Sequence, residues 1–117
     1  MVTWSDIEIF AIALGGVESA ISYGEPSLKI GKALLARLRV SDNSAVLKSV
    51  DFDERDDLIL AHPDIFFVEE HYLRHDIVLA RLEHADLDDV APYIRRTWAR
   101  LAGKRARNMG TKRMRPL

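Results

Sequence analysis

The residues best suited to chemistry lie in one stretch, HPDIFFVEEHYLRH at 62–75, which carries His62, His71 and His75 beside Asp64, Glu69 and Glu70. Imidazole nitrogens and carboxylates bind divalent metals, and two histidines four apart share one face if they lie on a helix. His71 and His75 fall instead between two strand-like segments, FFV at 66–68 and DIVLARL at 76–82, and no glutamate follows His71 as the HExxH pattern requires. The stretch is expected to be a joint, not a metal site. His62-Pro63 is expected to close a helix. Ile65, Phe66 and Phe67 then enter the core. Hydrolytic chemistry has no better foothold: Ser19, Ser22 and Ser27 lack a nucleophile elbow, and Gly15-Gly16 and Gly31 form no phosphate loop. The acids at 51–57 and 86–89 sit where helix starts attract negative charge. A non-catalytic protein without a cofactor is expected.

Composition narrows the class further. The 117 residues fit one domain, with 48% hydrophobic and 30% charged residues. There is no cysteine, so disulfides, thiolate catalysis and iron–sulfur ligation are excluded. The longest apolar run, IFAIALGGV at 9–17, is too short for a bilayer, which needs roughly 20 residues. The opening MVTWSDIE lacks the positive charge of a secretory signal. A cytoplasmic protein without membrane association is expected. The net charge of −1 conceals a partition. Residues 1–94 hold all 18 acids and 8 basic residues, whereas residues 95–117 hold the other 9 basic residues and no acid. A polyanion meets a basic segment on an acidic body.

The elements that must position these residues follow from periodicity. Ser5-Asp6-Ile7-Glu8 predicts a capping box, with Trp4 and Ile9 flanking it as a staple. Trp4, Ile7, Ala11 and Leu14 share a helical face that Gly15-Gly16 ends. VESAISYG (17–24), SLKIG (27–31), KALLARLRV (32–40) and AVLKSV (45–50) then form an antiparallel meander, with turns at Gly24-Glu25-Pro26 and Asp42-Asn43-Ser44. Leu34, Ala36, Leu38 and Val40 are placed on one face, Arg37 and Arg39 on the other. Asp53 is expected to cap a second helix that Pro63 ends. The last helix is expected from near Asp86 to about Ala102, distorted at Pro92. Leu87, Val90, Ala91, Ile94, Trp98 and Leu101 line its inner face, with Arg95, Arg96 and Arg100 away from it. The fold class is thus α+β, a two-layer antiparallel β-sheet with helices packed on one face. Residues 1–102 form the single domain and 103–117 a flexible basic tail.

The words GGVESAISYGEPSLKIGKALLARL (15–38), VLKSVDFDERDDLILAHPDIFFVEEHY (46–72) and IVLARLEHADLDDVAPYIRRTWARLA (77–102) resemble the MmcQ/YjbR family. The resemblance covers residues 1–102 and implies a CyaY-like two-layer fold and DNA binding. Leu28 and Leu35 stand where that family often has phenylalanine, and Ile77 near a frequent tryptophan. The residues themselves offer basic side chains for phosphate: Lys29, Arg37, Arg39, Lys48 and Arg81 on strands, and Arg95, Arg96, Arg100, Lys104, Arg105 and Arg107 in the C-terminal segment. A solvated sheet face salted with Glu18 and Glu83 is the plainer account of the strand residues. The rival function is a protein-interaction module using the open sheet or an exposed strand edge.

Overall fold

A computed structural model describes residues 1–113, and the side chains of residues 1–105. The elements are α1 (Trp4–Leu14), β1 (Glu18–Ser22), β2 (Glu25–Ile30), β3 (Ala33–Arg39), β4 (Ser44–Lys48), α2 (Phe52–Ala61), β5 (Phe66–Phe67), a 3-10 turn (Glu70–Tyr72), β6 (Ile77–Arg81) and α3 (Leu87–Arg113). The strands form one antiparallel sheet in the order β1-β2-β3-β4-β6-β5. The two-layer α+β class and the element order are those expected from the sequence.

The core lies between the sheet and the helices. Leu28, Leu47, Val78 and Ala80 on the strands meet Ile7, Ala11, Val90 and Ile94 on α1 and α3, all buried. Burial of such side chains contributes about 1.5–3 kcal/mol each for the larger ones. Trp98 is only partly buried, and its indole N–H donates to the Gly15 carbonyl at 2.8 Å. That bond fastens the end of α1 to the middle of α3.

Local details depart from the sequence reading. Thr3, not Ser5, caps α1: its hydroxyl accepts from the Asp6 N–H, and the Asp6 carboxylate accepts from the Thr3 N–H. Two overlapping boxes, T-x-x-D and S-x-x-E, compete, and the earlier one starts the helix two residues sooner, with Ile7 buried and Trp4 partly so. Asp51, not Asp53, caps α2 by accepting from the Glu54 N–H. The first turn of the meander is Tyr23-Gly24, so Glu25 and Pro26 belong to β2. A bulge between Leu28 and Lys29 shifts the β2–β3 register, pairing Leu34 with Lys29. Leu34 therefore joins the outer face, away from Ala36 and Leu38, and Val40 is exposed beyond the strand end. Phe67 also falls on the outer face, paired with Leu79, because its neighbour Phe66 takes the core side.

The last helix does not stop at Ala102. It passes through Pro92, giving up the hydrogen bond to the Asp88 carbonyl, and continues beyond Gly103 to Arg113. Residues 103–113, GKRARNMGTKR, are mostly good helix formers, so two glycines at about 1 kcal/mol each do not break the helix. Cationic side chains also suit a helix C-terminus. Residues 114–117 of the expected tail lie outside the described residues.

Candidate functional site

The outer face of the sheet is where strand alternation puts Lys29, Arg37, Arg39, Lys48 and Arg81, and the register confirms that side for each. It is not an open cationic surface. The segment 68–76 between β5 and β6 folds back across it and buries Val46 and Leu79 beneath. From this segment Tyr72 accepts a hydrogen bond from Arg37 Nη2 at 2.6 Å, while Arg37 Nη1 pairs with Glu25. Arg39 Nη2 pairs with Glu69 at 2.9 Å and Asp42 at 3.1 Å. The Glu69 hydrogen bond raises the Arg39 pKa above its ordinary value. Arg81 lies 4.0 Å from the Phe67 ring centre and donates to the Pro63 carbonyl. Lys48 reaches the Leu34 carbonyl at 3.5 Å. Arg37 and Arg39 hold the covering segment in place, and their carboxylate partners leave little of their charge for phosphate.

The covering segment owes its shape to a residue the sequence reading passed over. Arg55 on α2 is buried, and its guanidinium donates to four backbone carbonyls: Tyr72 (3.3 Å), His75 (2.9 Å) and Ile77 (3.1 Å) through Nη1, and Leu73 (2.9 Å) through Nη2. Phe52 packs 4.9 Å from it, ring centre to guanidinium carbon. An arginine among the acids of DFDERDD looks like a surface residue; only the tertiary fold brings carbonyls to it. A lone cation flanked by acids yet spaced with Leu58 and Ile59 on one helical face was the available signal.

His71 and His75 do approach a common feature. With Tyr72 they form one wall of a cavity of about 550 Å³, whose floor is Leu34, Val46 and Ile77. Tyr23 closes the opposite side. Among the described residues, no three His, Asp or Glu side chains converge as a metal set.

The helical cations divide into two groups. Arg96 makes a two-pronged pair with Glu54 (2.6 and 3.0 Å) and donates to the Ser49 carbonyl; the Glu54 bond raises its pKa. Arg100 donates to the Ser49 hydroxyl, and Arg95 stacks 5.3 Å from the Phe10 ring centre. These three bind α3 to its surroundings. Lys104 and Arg105 are exposed, and the Arg107 side chain lies outside the described residues. No described helix is long and apolar enough to cross a membrane. Comparison with protein-family models, curated proteins and solved structures finds no match to this chain.

Proposed function

We propose that this chain is a non-catalytic, cofactor-free DNA-binding protein of the MmcQ/YjbR type, and that the C-terminal half of α3 makes the contact. One observation carries this reading: the basic segment is helical as far as Arg113, with five basic residues and no acid from Leu101 onward in that helix. Phosphate binding draws on such an array, and the major groove admits a helix. The 27 residues of α3 span about 40 Å at 1.5 Å per residue, enough to extend the cations away from an acidic body. The paired arginines of the sheet contribute little.

Fluorescence anisotropy of full-length protein with duplex DNA, repeated across salt concentrations, tests this. Replacing Lys104, Arg107 and Lys112 by glutamine should reduce the slope of log K against log salt by up to about 2.7. Absence of salt-sensitive binding, or a slope unmoved by the triple variant, overturns the proposal. A protein partner is the second reading, favoured by α1 rather than by the sheet. Ile9 and Ile12 are exposed there, and Ile9 lines a cavity of about 440 Å³ with Phe10 and Leu14.

A further inference from the structure

The β1–β2 hairpin has a two-residue turn in which both residues have positive φ, Tyr23 at 55° and Gly24 at 76°. Turns of this kind favour Asn, Asp or Gly at the first position, because a side chain with an ordinary Cβ is strained there. A tyrosine occupies it instead and is 91% exposed. Its one aromatic contact among the described residues is the Arg37 guanidinium, whose carbon lies 5.6 Å from the ring centre, which directs attention to what else the ring is held over.

Tyr23 and Leu34 are shared between two cavities. One is the cavity under the covering segment, where His71, Tyr72 and His75 present rings and polar edges above an apolar floor. The other, of about 420 Å³, adds Ser22, Lys29 and Lys32. Sharing Tyr23 and Leu34, the two cavities adjoin as a trough, with aromatic side chains lining one part and Lys29 and Lys32, beside Ile21, the other. Lys29 and Lys32 are in no ion pair among the described residues, although Glu18 lies across the β1–β2 ladder from Lys29. Arg37 in the aromatic end is already matched by Glu25. A flat ring that stacks on Tyr23 and accepts or donates at its edge suits the aromatic end. A dianion attached to it suits the lysines.

We infer that this trough binds a nucleoside monophosphate, its base against Tyr23 and the His71–His75 wall and its phosphate at Lys29 and Lys32. The ligand is either a free nucleotide or an unpaired nucleotide within a strand. The site is separate from α3 and independent of duplex binding there.

Isothermal titration of the full-length protein with the four ribonucleoside monophosphates, the matching nucleosides and inorganic phosphate tests the assignment. At least one nucleotide should bind saturably, and its nucleoside about ten-fold more weakly. Tyr23→Gly removes the ring at a position glycine accepts readily, and should weaken binding by roughly ten-fold. Tyr23→Trp should restore it. Lys29→Gln with Lys32→Gln should bring the nucleotide down to the affinity of the nucleoside. The Lys104, Arg107 and Lys112 triple variant should bind the nucleotide normally. A short single-stranded oligonucleotide that binds more tightly than the mononucleotide identifies a strand as the source; equal or weaker binding identifies the free nucleotide. No saturable binding of any nucleotide or oligonucleotide at millimolar concentration overturns the inference. So does binding that survives Tyr23→Gly together with the lysine pair, or full displacement by inorganic phosphate.

Discussion

Replacing Arg55 by methionine isolates the polar role of the buried guanidinium, because the methionine side chain retains an apolar stem of similar reach. The guanidinium meets four carbonyls, but Nη1 has only two hydrogens for three of them. At most three full bonds are therefore made. At about 1–1.5 kcal/mol net for each, less about 1 kcal/mol for the buried Nε that lacks a partner among the described residues, the arrangement contributes about 3 kcal/mol. That is a large part of the total stability of an ordinary domain, about 5–15 kcal/mol. In urea the midpoint should fall by about 1–3 M for slopes of 1–3 kcal/mol/M. Hydrogen exchange should show residues 70–77 opening before the sheet, since only that segment loses its anchor. A stability loss under about 1 kcal/mol, or unchanged exchange in the segment, would refute the reasoning. Arg55→Lys should recover little, because one ammonium cannot span the carbonyls that a planar fork reaches.

Other expectations follow from single contacts. Trp98→Ala should cost about 2–3 kcal/mol in urea unfolding and Trp98→Phe about 1 kcal/mol, the latter reporting the lost bond to Gly15. Gly31, at φ 61°, has Arg105 Nη1 only 2.6 Å from where a Cβ would stand. Gly31→Ala should destabilise by about 1–2 kcal/mol, and equally so beside Arg105→Ala, because the arginine tip can move and the backbone cannot. The Asp6 carboxyl is held below its ordinary pKa of 3.8 by the Thr3 N–H and then by the Thr3 hydroxyl. Its capping contribution is therefore present above that value and lost as pH falls through the lowered one. Asp6→Asn should lower the urea midpoint at neutral pH and converge with the parent in acid. Finally, Glu25→Gln with Asp42→Asn and Glu69→Gln removes the carboxylate partners of Arg37 and Arg39, and should steepen the salt dependence of DNA binding by up to about 2; an unchanged slope would remove the sheet from the interface.

Alternation along β3 and β6 was sufficient to send Arg37, Arg39 and Arg81 to the outer face, because side-chain direction in a strand is a local property. Their partners were not legible. Glu69 and Tyr72 lie about 30 to 35 positions from the arginines they meet, and their approach depends on Arg55 folding the intervening segment. Helix starts were placed within two residues, since TWSDIE and DFDE each offer two competing caps. The bulge at Leu28/Lys29 has no signature in SLKIG, so the face of Leu34 was read wrongly. The end of α3 was missed because a charged sequence without an apolar stripe gives no periodic signal, whereas helix propensity persists.

The bond between Trp98 and the Gly15 carbonyl joins residues 83 positions apart, and this has a consequence for synthesis. At about 5–20 residues per second, α1 waits on the order of ten seconds for the helix that covers it. During that interval the sheet is the only part of the core available to Ile7 and Ala11, and the face of α1 that α3 covers is open to water or another nascent chain. Docking of α3 is thus the step that closes the native core over α1. Slowing the ribosome before α3 has left the exit tunnel should expose α1 for longer and increase its capture by chaperones.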